Sequence, residues 1–367
     1  MKKPDFLICA PLHSANSSNG VLGLFHLAKT LEKLGHPAYM CQIDGADDGS
    51  VYAGDLTKHR STNAHDKYCV RLALQNAETY GVKLLTDFSR ERIDASYVIY
   101  PETVLGNPLR ARNVVRYFGN RDGALKNGAK VKRGASDFLL AHSRAMTPEA
   151  HHVCCFAWMN PLFNRNGSQP PLRRTLDLSY IGKGALSGFI GHVTNTVTIG
   201  RHWPESKEEL AVLLRQCRFF YTADACSNIN NEALSCGAIP VFVHNGPWSD
   251  AEIDAFEAGA IPRLRQNEEL DDAQFAHFEI RRVAYLAALS DIDQGWEPSV
   301  RELAEKVDRH FEPRRVAAAS HYPDIAGSPT TFQPKQSPID PAQRVSRKER
   351  KRWNKQIDRP RVTRIGI

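Results

Sequence analysis

No apolar run in the 367-residue chain approaches the roughly 18–20 residues that a bilayer-spanning helix needs. The longest, such as Ile239–Val243, have the length of a buried strand. The start, MKKPDFLICAPLHS, meets Pro4 and Asp5 directly after two lysines, and its apolar run is too short for a signal peptide. The eight cysteines (Cys9, Cys41, Cys69, Cys154, Cys155, Cys217, Cys226 and Cys236) include no C-x-x-C pair. That scatter argues against a disulfide framework or a zinc site and for reduced, buried thiols in a cytoplasm. Fourteen histidines include His151-His152 but no H-E-x-x-H and no His/Asp group with ligand spacing, so no metal is expected. There is no G-x-S-x-G elbow and no P-loop. Nor is there a G-x-G-x-x-G fingerprint, which weighs against a dehydrogenase and a dinucleotide cofactor.

What is present is ordinary globular material. Apolar residues make up 42% and charged residues 24%. The length accommodates two domains, each with its own core. The net charge of +7 is unevenly placed. From Gln333 to Ile367 there are 11 Lys/Arg against 3 Asp/Glu, a local +8. The rest holds 37 basic against 38 acidic residues, a net −1. The basic character therefore belongs to a C-terminal tail and not to the body.

Strand and helix alternate along the body. Phe6–Ala10 reads as a strand, followed by the polar loop Ser14–Gly20. A helix with apolar positions Leu22, Phe25, Leu27 and Leu31 comes next and stops at Gly35. Strands are expected at Tyr39–Ile43, Ala95–Tyr100 and Phe138–His142, and a strand or strand–helix turn at Asn113–Phe118. Thr147-Pro148-Glu149 has the form of an N-cap with proline at the first helical position. Asn164–Thr175 has linker composition. Beyond it, strands are expected at Ser179–Ile181, Val197–Ile199, Phe219–Thr222 and Ile239–Val243. Ser206-x-x-Glu209 and Ser299-x-x-Glu302 read as helix starts, the first as a capping box. This predicts an α/β chain of two doubly wound, Rossmann-like domains facing across a cleft, residues 1–165 and 166–320. A Pro/Ser-containing linker and basic tail, 321–367, follow. Ligands of such sheets sit beyond the carboxyl ends of the strands.

The most informative segment is Tyr221–Val243, YTADACSNINNEALSCGAIPVFV. A strand gives way to a small polar loop and a helix near Asn230. Free amides around Ser227 and Asn228 form an anion site suited to a diphosphate. Glu232 is placed to accept hydrogen bonds from ribose hydroxyls, with Asp224 eight residues before it. A plain alternative is an acidic residue complementing the helix dipole.

The segment resembles the donor-binding motif of retaining GT-B glycosyltransferases, Glu-x7-Glu followed by Ala, a Gly and Pro-Val. Asp224 stands in place of the first Glu. The resemblance implies ribose binding by Glu232 and donor-sugar contact by Asp224. A second block, Tyr100-Pro101-Glu102 to Gly123 (YPETVLGNPLRARNVVRYFGNRDG), is similar to the N-terminal domains of bacterial polysaccharide glycosyltransferases. It places Glu102, Asn107 and Arg112 at the cleft, although Asn107-Pro108 also reads as a simple turn. Glu102 and Asp224 are the acids assigned to the reaction. Lys183 and Arg201 lie where the family keeps cations against the diphosphate, replacing a metal. Gly20 is the candidate for the phosphate-facing glycine of the first loop, unless that loop is an ordinary turn. Asp291-x-Asp293 mimics a D-x-D metal motif outside any strand-end context.

The resemblance thus implies hexose transfer from a nucleotide diphosphate sugar, with retention, to a glycan or lipid-linked glycan at the cytoplasmic face of the membrane, without metal or cofactor. Arg347, Lys348, Arg350, Lys351, Arg352, Trp353 and Lys355 in the tail suit an anionic membrane surface or DNA. Two rival readings remain. One is a glycosyltransferase acting on modified bases of DNA; the other is a catalytically silent binder of sugar nucleotides or nucleic acid.

Overall fold

The structure is a computed structural model, and it describes residues 3–11, 19–44, 52–53, 55–58, 64–124, 128–189, 191, 193–200 and 203–319. Through the first half the chain forms β1 (Phe6–Pro11), α1 (Asn19–Lys33), β2 (Ala38–Asp44), β3 (Tyr52–Ala53), α2 (Ala64–Tyr80), β4 (Lys83–Leu84) and α3 (Arg90–Ala95). Then come β5 (Tyr97–Pro101), β6 (Asn113–Phe118), β7 (Phe138–Ala141) and β8 (His152–Val153). The second half forms β9 (Leu176–Tyr180), β10 (Val197–Ile199), α4 (Lys207–Gln216), β11 (Cys217–Thr222), α5 (Asn228–Ser235) and β12 (Ile239–Phe242). It ends with α6 (Asp250–Asp254), β13 (Leu264–Arg265), α7 (Asp272–Gln294) and α8 (Trp296–Ala319).

Two sheets result. The first runs β3-β2-β1-β5-β6-β7-β8, with β4 added on β2; the second runs β10-β9-β11-β12-β13. Among the described residues every strand pairing is parallel except β2 with β3. The chain is therefore α/β with two doubly wound sheets, as the alternation predicts. In each sheet the order reverses once, between β1 and β5 in the first and between β9 and β11 in the second. At these switch points neighbouring strands send their exit loops to opposite faces and open a crevice.

The burial pattern explains the apolar strands. β5, β6 and β7 are buried throughout, because helices and loops cover both faces. One face of the first sheet packs Phe6, Ile8, Tyr97, Val115 and Phe138 against α1 and also against Val300, Leu303, Val307 and Phe311 of α8. The last helix among the described residues thus docks on the first sheet. Tyr97 Oη bonds Asp308, and Trp296 Nε1 donates to Thr30 Oγ1 at 2.8 Å. A separate core mixes both halves, joining Phe118, Leu139 and Ala141 with Leu234, Val241 and Trp248.

Three local expectations are corrected. Thr147–Ala150 is a turn leading into β8, not a helix start; no apolar period follows it, and Leu139 N donates to His151 Nδ1 instead. Ser299 does not cap α8, which begins at Trp296; its hydroxyl reaches His152 and Val153 O on the first sheet. The Ser206 hydroxyl does accept from Glu209 N at 3.1 Å, but Glu209 returns to Glu205 N and not to Ser206, so the capping box is half made. The linker 164–175 is firmly held. Its Arg174, 5% exposed, donates to the carbonyls of Cys217, Cys236 and Gln169.

Candidate functional site

The switch point of the second sheet is built by two adjacent strand exits. After β9 the chain turns at Gly182, whose φ is +50°. A Cβ there would lie 2.4 Å from the Tyr180 ring and 2.5 Å from Asp224 Oδ2, so only glycine lets the two exits meet. After β11, Asp224 turns inward and is 4% exposed. Its Oδ2 accepts from Lys183 N at 2.9 Å, and Ala223 N donates to Tyr180 O at 3.0 Å. Asn230 Nδ2 spans the carbonyls of Asp224 and Ala225, at 3.0 and 2.9 Å, which ties the loop to α5.

Lys183 closes the gap to the first sheet. Its ammonium lies 3.0 Å from Asn120 Oδ1, 2.9 Å from Cys226 O and 3.7 Å from Asp224 Oδ1. Asn120 follows β6, and its amide donates to Glu102 Oε1 at 2.7 Å; Gly119 N donates to Glu102 Oε2 at 3.1 Å. Glu102 follows β5, beside the switch point of the first sheet. One polar string, Glu102–Asn120–Lys183–Asp224, therefore connects the carboxyl ends of both sheets. Burial pushes the Glu102 carboxyl above its ordinary range, although its bonds to Asn120 and Gly119 and the Lys183 charge pull it down. Beside the string lies a cavity of about 260 Å³, with Gly123, Gly184, Ala225, Asn245 and Trp248 among its walls. Arg121 stacks on Trp248, with its guanidinium carbon 4.5 Å from the ring centroid, and pairs with Glu252.

Glu232 sits on α5, 6% exposed. Its Oε1 accepts from Lys207 Nζ at 2.7 Å and Asn228 Nδ2 at 3.3 Å. Burial raises its pKa, with Lys207 and Asn228 offsetting part of the shift. α5 starts at Asn228, two residues earlier than its sequence suggests, so Glu232 lies in the second turn. The N-cap, Ser227, makes no side-chain cap bond. Its hydroxyl and the first amides of α5 together offer an anion-binding end.

The sequence candidates part company in the structure. Asp224, Lys183, Glu102, Ser227, Asn228 and Glu232 gather at the carboxyl ends of the strands. Gly20 is exposed in the first turn of α1. Asn107 and Arg112 do not join the group. Asn107 is consumed in a turn, accepting from Tyr100 Oη and Ala111 N and donating to Ala111 O. Arg112 precedes β6 and pairs with Asp94 at 3.3 Å, at the amino ends of the strands, away from the cleft. Arg201 and the tail residues Arg347 to Lys355 lie outside the described residues. Asp291 and Asp293 sit in the last turn of α7. Sequence reasoning did not single out Asn120, Lys207 or Trp248. Asn120 falls inside the second quoted block, and only the meeting of β6 with the β9 exit gives it a role.

No protein-family model matches the chain, and no curated protein matches it in sequence. Several solved structures are similar in fold. The glycotransferase of kitacinnamycin aligns with 84% of this chain and 100% of its own, at 10% identity and a TM-score of 0.42. The glycosyltransferase VinC in complex with DTDP aligns with 84% and 100%, at 11% identity and 0.36. An alpha-glucosyltransferase in complex with UDP and a 13-mer DNA containing an HMU base aligns with 87% and 99%, at 10% identity and 0.33. Overlaps this loose carry no residue roles.

Proposed function

We propose that the chain is a glycosyltransferase that takes a hexose-type residue from a nucleoside diphosphate sugar, with retention, and passes it to a glycan or lipid-linked glycan. The observation that carries this reading is the polar string Glu102–Asn120–Lys183–Asp224 beside the amino end of α5. Asn120, Lys183 and the buried Asp224 line one cavity there, and α5 begins four residues after Asp224. The α5 amides and Lys183 meet the diphosphate, and Lys183 stabilises charge developing on the leaving group. Asp224 orients the sugar, and Glu232 accepts from the ribose. A cation fixed by Asn120 and Cys226 O performs the charge neutralisation that other transferases assign to a metal, so no metal or cofactor is required for transfer. Glu102, with its raised pKa, is the acid placed to exchange a proton with the acceptor.

The experiment is a transfer assay across nucleotide sugars, with glycan, lipid-linked and hydroxymethylated DNA acceptors in parallel. Nucleotide release that depends on a glycan or lipid acceptor supports the reading. Donor binding without hydrolysis or transfer leaves a silent binder. The +8 charge of residues 333–367 favours a polyanionic partner, either a cytoplasmic membrane face or DNA. Transfer to DNA alone places the modified-base reading first.

A further inference from the structure

Beside α5, where Asn231 meets Glu257, three side chains converge that the transfer reaction does not use. His142 follows β7, Cys155 follows β8, and Glu257 follows α6, so two belong to the first sheet and one to the second. His142 Nε2 lies 3.1 Å from Glu257 Oε1 and 3.6 Å from Cys155 Sγ. All three ligand atoms fall within 4.8 Å of one another. The side chains of His142 and Glu257 are 9% and 6% exposed.

We propose that His142, Cys155 and Glu257 form a zinc-class metal site that clamps the two sheets together. Zinc binds imidazole nitrogen at about 2.0–2.1 Å and thiolate at about 2.3 Å, so a tetrahedron has an N···S edge of about 3.6 Å and an N···O edge of about 3.3 Å. The two separations match these edges with little movement. The ligand set, one soft thiolate with an imidazole and a carboxylate, suits zinc and cobalt and not magnesium or calcium. An outer shell is also in place. Glu257 Oε2 accepts from Asn231 Nδ2 at 2.7 Å, and Asn231 Oδ1 accepts from Tyr285 Oη at 3.1 Å. Such outer bonds aim a ligating carboxylate. Cys154, next in the chain, is directed into the core beneath α8, leaving Cys155 on the cluster side.

Without an ion, Phe156 N donates to His142 Nδ1 at 3.3 Å, so Nε2 carries the ring proton and donates to Glu257. An ion takes that proton's place. The ring proton moves to Nδ1, the long Phe156 bond is given up, and the Cys155 thiol proton leaves to solvent. Water fills the fourth corner.

The test uses the full chain, stripped of metal and titrated with Co²⁺ and then Zn²⁺. One equivalent of Co²⁺ is expected to give thiolate-to-cobalt charge-transfer absorption, which Zn²⁺ abolishes. Cys155→Ser should remove that band, and Glu257→Gln should weaken Zn²⁺ binding by about tenfold or more. Zn²⁺ should raise the unfolding temperature of the wild type and not of Cys155→Ser. Cys155→His, which keeps a ligand without the thiolate, should regain Zn²⁺ binding without the band. Absence of the band in the folded wild type, or its persistence in Cys155→Ser, overturns the site. UDP and TDP binding is measured on the same samples and should not depend on zinc, so a failure here is distinct from a failure of the transferase reading.

Discussion

Replacing Glu232 with glutamine tests the donor site with least disturbance to the fold. The side chain keeps its volume and loses its charge. In the free protein Glu232 faces Lys207, whose side chain is 45% exposed, so their pairing is screened and contributes at most about 1 kcal/mol. The unfolding free energy in urea should therefore change by no more than about 1 kcal/mol. Binding should respond far more, because a buried carboxylate accepting from ribose hydroxyls contributes about 1.5–3 kcal/mol. Calorimetry with UDP and TDP should show a loss of about ten- to hundredfold. The pH dependence gives an independent sign. Burial raises the folded pKa of Glu232 above the ordinary carboxylate value. The folded protein thus takes up this proton at higher pH than the unfolded chain does. The group's contribution to stability is present below the unfolded value and lost as pH rises through the folded pKa. Donor affinity runs the other way, falling as pH drops below the folded pKa, and Glu232→Gln should lack that fall. Unchanged nucleotide affinity in the variant, with the fold intact, would refute the assignment.

Gly182→Ala forces a Cβ against Tyr180 and Asp224 at a φ of +50°. It should destabilise the chain by more than about 1 kcal/mol and weaken donor binding together, read by urea denaturation and calorimetry. A neutral result would mean that the two strand exits need not touch. Donor turnover should survive brief EDTA treatment, since Lys183 and the α5 amides bear the charge; loss with recovery on Mg²⁺ or Mn²⁺ would contradict that. Truncation after Gln333 leaves α8 whole, so donor binding should persist while salt-sensitive retention on DNA or anionic vesicles disappears. Unfolding of the truncated chain would show that the tail is structural.

Much of this was legible because the strands are short, apolar and sharply bounded. The Tyr221–Val243 segment gave a strand, a loop, a helix and a strand within a residue or two. The topology was harder. Ser299-x-x-Glu302 has the form of a helix start, yet both residues lie inside α8, because Trp296 and Val300 are fixed by the first sheet and not by a cap. Thr147-Pro148-Glu149 misleads for a related reason: a cap without an apolar period behind it nucleates only a turn. Long-range pairs such as Asn120 with Lys183, or Cys155 with Glu257, leave no spacing signal, since each joins residues from different sheets. Arg112 shows the reverse error. It is close to Glu102 in sequence, but the chain travels the full length of the sheet between them.

The return of α8 to the first sheet also bears on how the chain is made. Val300, Leu303, Val307 and Phe311 are fully buried and complete the core begun by Phe6 and Tyr97. While a ribosome extends the chain, the first sheet stays open on that face until the second has been synthesised. Domains that fold as units during synthesis normally close their own cores first. Here the core of the first sheet can be completed only after the residues of the second sheet have been made. A fragment ending near residue 165 would keep its strands but expose the groove that α8 fills, and adding residues 296–319 in trans is the natural way to rescue it.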